Sequence, residues 1–479
     1  MQDVIRLFYP GAEITGAGAE ADLHLEVETT VRNGCRLAAR AAGGGEPLEQ
    51  VEEKVFPEPG AADVENELKR LAQLAVYRLL RRLTGSEPGP WGIFTGVRPT
   101  KIVHRLMDRG LRRDELVARL TADFAVREDR ARLIAGIAGR QRPYLPPPEG
   151  RTAVGVYIGI PFCPTRCLYC SFPSYPLAGY RSRVEPFCEA LLREIAAVGA
   201  ALAGRGIPVQ HIYMGGGTPT SLPPELFRKV LQAVRRHLYG PQTEEFTVEG
   251  GRPDTLTREK LEACASAGAN RISINPQTMH DRTLRAIGRS HTVADIFRAA
   301  ELAGETGFPV VNTDVIIGLP GETAADVAET MRLLGELAPE NITVHALAVK
   351  RASQLRFELD NHNLPGPAEA TAMWETAFRA AAGMGMQPYY LYRQKKTAGN
   401  LENTGYALPG KECLYNIAVI EERQTILGLG AGAGTKWVHP GDWYLTARYN
   451  PKDPWVYVDR IEEIIANKLS GIASLPGQN

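Results

Sequence analysis

Between residues 154 and 347 the chain alternates short apolar runs with longer stretches of helical spacing, and few architectures accept that order. Residues 154–160, 209–214, 245–248, 271–275, 310–317 and 341–347 read as strands, short and bounded by glycine, proline or polar turns. Residues 182–199, 223–239, 257–267, 292–306 and 323–337 read as the helices between them. Consecutive β/α units predict an α/β fold with a parallel sheet whose ligands gather at the C-terminal strand ends. After 350 the rhythm is lost, so the count stops at six units rather than eight.

Directly after the first strand, Tyr157 to Phe172 places Cys163, Cys167 and Cys170 in a C-x3-C-x2-C loop. Clustered thiolates select iron-sulfur or zinc. A structural zinc would recruit a fourth Cys or His, and the nearest candidates, Cys188 on a helix and His211 entering a strand, are not offered by the loop. The motif reads as three ligands to a [4Fe-4S] cube with one iron left open. A zinc knot or buried free thiols is the alternative.

These residues resemble the signature of the radical S-adenosylmethionine (SAM) superfamily, and Tyr157 to Phe172 resembles its oxygen-independent coproporphyrinogen III oxidase family. The stretch 150–435, with Gly96-Val97-Arg98-Pro99-Thr100-Lys101 upstream, is most similar to that family's coproporphyrinogen dehydrogenase branch. The resemblance implies a partial (β/α)6 TIM-like barrel, a [4Fe-4S] cluster and one or two SAM molecules. It also implies oxidative decarboxylation of coproporphyrinogen III to protoporphyrinogen IX, with heme binding and transfer as the rival activity. A tetrapyrrole ligand and a low-potential electron donor such as flavodoxin or ferredoxin would be the partners. Two departures set the chain apart from the best-studied oxidases: Gly159 stands where the family has histidine, and Phe172 where it has a fourth cysteine.

Gly215-Gly216-Gly217 after the second strand lets the main chain approach a ligand closely, and its spacing fits neither phosphate-binding glycine motif. The resemblance assigns Gly216, Gly217 and Thr218 to the methionine end of SAM. Glu249 closes the third strand, where a carboxylate can hold ribose hydroxyls or a cationic amine. The resemblance adds Gln277, Arg289 and Asp314 to the SAM contacts, with Arg289 on the SAM carboxylate. Asp314 also stands out as an acid in an apolar strand. Tyr157, Tyr169 and the Ala346 main chain complete the expected cofactor contacts, and Tyr157, Glu249 and Asp314 are the catalytic candidates. His345 reads equally well as an ordinary strand-end residue.

Residues 1–142 read as an N-terminal α+β accessory domain, with a period-two strand near 21–30 and a helix over 62–83. Trp91, Arg98 and Lys101 could face a polycarboxylated ring or form an interdomain joint, the joint being favoured. The prolines of 143–150 read as a stiff linker, 151–350 as the barrel and 351–479 as a substrate-side extension. In that extension Tyr389, Tyr390, Tyr392, Arg393, Lys395, Lys396 and Lys436, with Arg166 from the cluster loop, are candidates to stack on a macrocycle and pair with its carboxylates. The glycines of 428–434 would close over one ring edge or form a packed joint.

The 55 basic residues balance the 55 acidic ones, so no global field favours nucleic acid or an anionic membrane. Seven cysteines, three of them in one motif, do not suit a secreted disulfide framework. The opening residues lack a signal-peptide pattern, and no apolar run reaches the roughly 18–20 residues of a membrane span. The expectation is a cytoplasmic protein without membrane insertion.

Overall fold

The computed structural model describes residues 1–15, 22–32, 34–42, 47–54, 61–146, 153–394, 397–439 and 443–476. The chain divides into two compact units, Met1–Gly139 and Arg140–Asn479.

In the first unit, α1 (Gln2–Phe8) precedes a three-stranded antiparallel sheet of β1 (His24–Arg32), β2 (Gly34–Ala42) and β3 (Leu48–Lys54). The long helix α2 (Ala61–Thr84) covers it, with Leu74, Tyr77, Leu79 and Leu80 buried against Ala39 and Ala41. Helices α3 (Thr100–Asp108), α4 (Arg113–Phe124) and α5 (Glu128–Gln141) follow. Trp91, expected in an interdomain joint rather than at a polycarboxylated ring, is only 1% exposed. It is a core residue beside Gly92, whose positive φ brings its backbone against Phe124 and Ala125 and leaves no room for a Cβ.

The second unit begins with a 3-10 turn at Arg142–Tyr144; residues 147–150 of the expected linker lie outside the described residues. Then come β4 (Val154–Ile160), the short pair β5 (Phe162–Cys163) and β6 (Tyr175–Pro176), α6 (Leu177–Gly204), β7 (Val209–Gly216), α7 (Pro224–His237) and β8 (Glu245–Glu249). The order continues with α8 (Arg258–Ser266), β9 (Arg271–Ser273), α9 (Asp281–Ala286), α10 (Val293–Thr306), β10 (Val310–Ile317), α11 (Ala324–Leu337) and β11 (Asn341–Ala346). After the barrel run, α12 (Pro367–Gly383), β12 (Gln387–Arg393), β13 (Glu402–Ala407), α13 (Leu414–Glu421), β14 (Ile426–Gly430), β15 (Gly434–Val438), β16 (Leu445–Tyr449), α14 (Pro454–Asp459) and α15 (Ile461–Ala473) complete the chain.

The expected strands β4, β7, β8, β9, β10 and β11 pair in parallel and in sequence order. The region after 350 does more than extend the barrel, because its strands continue the same sheet at both edges. β14 lies parallel to β4, with antiparallel β15 and β16 beyond it, while β13 and β12 add to β11. The result is an eleven-stranded sheet whose edge strands β12 and β16 are not paired with each other among the described residues. That is a partial barrel. Alternation sends Val156, Ile158, Ile212, Met214, Phe246, Val248 and Leu429 into one apolar core with α6, α7 and α8. No helix of the described residues is long and apolar enough to cross a membrane.

Candidate active site at the strand ends

The residues between those core positions face the other side of the sheet. Parallel register sets Tyr157 beside Tyr213 and Gly159 beside Gly215, then Glu249 beside Ser273 and Ser273 beside Asn312. This inner face is polar toward the C-terminal strand ends, where the cysteine loop begins.

That loop is held from several directions. Leu168 N–H donates to Ile287 O at 3.0 Å, Leu355 N–H to Leu168 O at 2.9 Å, and Thr165 Oγ1 to Gly288 O at 3.0 Å. Arg252, 2% exposed, donates to Thr165 Oγ1 at 3.0 Å and to both oxygens of Asp254, at 3.1 and 3.3 Å. Although burial opposes ionisation, His291 and Arg252 bring the Asp254 carboxyl down to about 2. Arg252 was not singled out from sequence as a support of the loop; its signal was the Gly-Arg-Pro-Asp run after Glu249.

Cys163 and Cys167 are buried and Cys170 is partly so. Burial pushes the Cys163 thiol up and the Cys170 thiol up to about 11, so metal binding must displace their protons. Among the described residues no three ligating side chains converge as they would on a single ion. A cube places each thiolate on its own iron, and the donor set of three soft sulfurs on one short loop fits it.

The glycine turn packs directly onto this loop. Gly217 N–H donates to Ile160 O at 2.6 Å and Thr218 N–H to Phe162 O at 2.7 Å, while Thr218 Oγ1 sits 3.5 Å from Cys163 Sγ. A Cβ on Gly217 would meet Phe162 O at 2.5 Å and Cys163 Sγ at 3.0 Å; Gly216 has φ +112° and would meet Ile160 O at 2.8 Å. Across the strand ends, Gln277 adopts the left-handed φ of +71°, rare for a residue with a side chain. Its N–H donates to Asp314 O at 2.9 Å and its carbonyl accepts from Ile316 N–H at 2.9 Å. The buried Gln277 Oε1 and Arg289 Nε have no hydrogen-bond partner among the described residues. Arg289 otherwise reaches Asn275 O and, at 3.2 Å, the Tyr169 hydroxyl. Unspent buried polar atoms beside a cradle with no room for side chains fit a zwitterionic cofactor.

Glu249 has two partners at this level. The Tyr213 hydroxyl donates to its Oε1 at 2.5 Å. Burial nonetheless holds the carboxyl up at about 7, with Asp314 reinforcing the shift and the Tyr213 and Gly216 hydrogen bonds opposing it. Asp314 accepts from Asn312 Nδ2 at 3.0 Å and lies 3.6 Å from His345 Nε2, whose ring nitrogen Nδ1 is 3.2 Å from the Tyr392 hydroxyl. Tyr213 stacks on Tyr415 with ring centroids 4.5 Å apart, and Tyr157 lies 6.2 Å from Tyr213 and 6.1 Å from Tyr415. Tyr213 was missed although period two places it on the face of Gly215; Tyr415 arrives on α13 and had no local signal.

The tetrapyrrole candidates do not gather as expected. Tyr390 and Tyr392 stack on each other, and the Tyr390 hydroxyl donates to Thr343 Oγ1 at 3.4 Å. Arg393 is 4% exposed and donates to Asn400 Oδ1 at 2.8 Å, one step along β12 from Tyr392 and so on the opposite face. Burial depresses its guanidinium to about 10, partly offset by Glu402. Lys436 is bound to Glu422 at 2.8 Å and pairs with Ile426, which lies beside Gly155. It therefore lies level with the start of β4, one strand removed and roughly 15 Å along the strand direction from the cysteine loop. Arg166 is exposed and donates to Ala352 O at 2.6 Å. Ala346 N–H donates to Asn403 Oδ1 at 3.0 Å. Lys395 and Lys396 lie outside the described residues.

The 428–434 glycines form a packed joint at the cluster end. A Cβ on Gly430 would strike Gly159 O, and one on Gly432 would lie 3.1 Å from Pro173 Cγ. Ala431 O is 3.0 Å from the place of a Cβ on Gly159, so a histidine at 159 would press on this main chain.

The sequence profile of the radical SAM superfamily matches residues 157–334. The chain is 36% identical over 98% of its length, and 94% of the relative's, to the oxygen-independent coproporphyrinogen-III oxidase-like protein HemZ of Bacillus subtilis. It is 32% identical over 60% of its length, and 73% of the relative's, to the heme chaperone HemW of the same organism. Among solved structures, the Escherichia coli coproporphyrinogen III oxidase HemN superposes with a TM-score of 0.51 at 22% identity, covering 68% of this chain and 73% of that one; at that identity the match speaks for the fold. Members of the superfamily use a [4Fe-4S] cluster and SAM. The chain belongs to the oxygen-independent coproporphyrinogen-III oxidase-like family of the radical SAM superfamily.

Proposed function

We propose that this chain oxidatively decarboxylates coproporphyrinogen III to protoporphyrinogen IX without oxygen. The observation that supports this best is the reach of the HemZ similarity, 98% of the chain, where the HemW similarity takes in 60%. When bound, the cluster and SAM supply a carbon-centred radical that removes a hydrogen atom from a propionate. Each –CH2–CH2–COO⁻ arm then becomes –CH=CH2 by losing that hydrogen atom, one carbon dioxide and one electron, which passes to an acceptor.

In this reading Cys163, Cys167 and Cys170 hold the cluster, and the Gly216–Thr218 main chain, Gln277 and Arg289 hold the methionine end of SAM. Glu249, in its deprotonated form, takes the SAM amine or ribose hydroxyls, and the Tyr213 hydroxyl orients it. Asp314 contacts the cofactor from β10 and positions His345. Tyr392 supplies flat apolar surface for the macrocycle, the buried Tyr390 backs it from the core, and Tyr157 serves the cofactor. Residues 1–142 act as an accessory domain, 151–350 as the cofactor barrel and 351–479 as the substrate side, joined through 143–150.

The HemW similarity favours a second reading, binding and transfer of heme without turnover. Anaerobic protein with reductant, SAM and coproporphyrinogen III separates them. Protoporphyrinogen with matching 5'-deoxyadenosine supports the oxidase, while stoichiometric heme binding with no vinyl product supports the chaperone.

A further inference from the structure

Two cations expected to hold substrate carboxylates stand elsewhere, Arg393 on the opposite face of β12 and Lys436 level with the start of β4. What the sheet brings to its inner face is a chain of three side chains from three strands. Asp314 Oδ2 of β10 lies 3.6 Å from His345 Nε2 of β11, and His345 Nδ1 lies 3.2 Å from the hydroxyl of Tyr392, which reaches across β13 from β12. The two rings are inclined at 61° with centroids 6.4 Å apart. Asp314 and His345 keep 21% and 26% of their side chains exposed, and Tyr392 is half-buried. The chain therefore borders open space, and contacts this long and this wet add little to stability.

It also adjoins the cofactor end of the sheet. Burial holds the Glu249 carboxyl up and Asp314 reinforces the shift, while His345 is near enough to oppose it. The titratable groups around the imidazole are thus Asp314 from β10, Glu249 from β8 and Tyr392 from β12. An anionic ligand group entering here would meet two acids, and the imidazole is the side chain interposed between Asp314 and the Tyr392 hydroxyl.

Counting hydrogens shows which way that hydroxyl can point. The carboxylate beside Nε2 favours a proton on that nitrogen, which leaves Nδ1 with two states. As a lone pair, Nδ1 accepts the Tyr392 proton. As an N–H, it donates to the Tyr392 oxygen, which also accepts from Gln394 Nε2 at 3.5 Å. Among the described residues the hydroxyl has no further partner, so in this second state its own proton turns outward. An anionic oxygen beside the ring selects that state.

We infer that the Tyr392 hydroxyl, turned outward when His345 gains a proton, binds a propionate carboxylate of the tetrapyrrole beside the cofactor. His345 is its positioning residue and screens the carboxylate from Asp314. The inference rests on the reading that the ligand is a propionate-bearing tetrapyrrole, and it is independent of whether that ligand is turned over. Two consequences are specific to it. Binding takes up one proton, and the site recognises the free carboxylate, whereas an aromatic face alone accepts an ester as well.

The test uses the full chain with its cluster reconstituted anaerobically, and coproporphyrin III and its tetramethyl ester as probes. Calorimetric titration at pH 8, where an ordinary imidazole is neutral, in two buffers of different ionisation enthalpy gives affinity and proton uptake together. We expect the native chain to take up one proton with the acid and none with the ester. Tyr392→Phe should weaken the acid tenfold or more and leave the ester, SAM affinity and iron content unchanged. His345→Gln should weaken the acid severalfold and abolish the uptake, which Glu249→Gln should retain. Unchanged acid affinity in Tyr392→Phe, uptake that survives in His345→Gln or is lost in Glu249→Gln, equal uptake with the ester, or no porphyrin binding by the native chain would overturn the inference. Turnover of coproporphyrinogen III alongside any of these would leave the decarboxylation standing. Porphyrin held through this pair with no vinyl product would refute the decarboxylation and leave the carboxylate site in place.

Discussion

The Tyr213 hydroxyl donates to Glu249 Oε1 at 2.5 Å across neighbouring parallel strands, and this bond restrains a carboxyl that burial has already raised to about 7. Glu249 binds a cationic or hydroxylic ligand best when deprotonated. SAM affinity should therefore fall as pH drops through about 7. Tyr213→Phe removes a bond that favours the charged form, so the midpoint should move upward by about one unit. Titrating SAM binding against pH in the native chain and the variant checks this. The raised value also destabilises the fold as pH rises: the contribution is fully present below the unfolded value near 4.5 and is lost by about 7. Glu249→Gln should flatten that window, by about 3 kcal/mol at most.

Gly217→Val should damage the cluster as well as SAM binding. A side chain there is expected from sequence to exclude SAM alone, yet its Cβ would press on Phe162 O and Cys163 Sγ. Iron and sulfide analysis alongside a SAM titration decides between the two, with the structure requiring both to fall.

Alanine at Cys163, Cys167 or Cys170 should each abolish the reduced-cluster spin-resonance signal. Alanine at Cys188, Cys264 or Cys413 should retain it. Cys413 is still not neutral, because its thiol lies 3.2 Å from the buried Glu245 carboxylate; its loss should cost about 1 kcal/mol in urea unfolding.

Arg252→Ala should lower both stability and cluster content. Removing the guanidinium leaves Asp254 with His291 and leaves Thr165 held only through Gly288 O. The expected cost is about 2–3 kcal/mol, below the value for a fully buried pair because the Asp254 side chain is 26% exposed. Since the Asp254 carboxyl is lowered to about 2, its contribution is present above the unfolded value near 3.8 and is lost as pH falls toward about 2. Urea unfolding at pH 7 and at pH 2 should therefore show the native–variant gap at neutral pH and little of it in acid. Lysine at 252 should restore part of the charge effect and not the bidentate contact.

What the sequence by itself determined here is local. The C-x3-C-x2-C loop, the glycine turn after β7 and the alternation of β and α over 154–347 depend on spacings of a few residues, which the covalent chain carries directly. Strand order in the barrel also followed, because parallel β/α units close in one hand. Tertiary structure alone decided what sits beside these elements. Lys436 belongs to the far end of the sheet because β15 pairs at Ile426, and Arg393 turns from Tyr392 because successive strand residues face opposite ways. The backbone at Gly92 abuts Phe124, and Trp91 beside it is buried. Tyr415 meets Tyr213 through a helix two hundred residues downstream, and the Ala431 main chain lies against the place of a Cβ on Gly159. Such contacts arise from register and closure between distant segments, and no short-range periodicity encodes them.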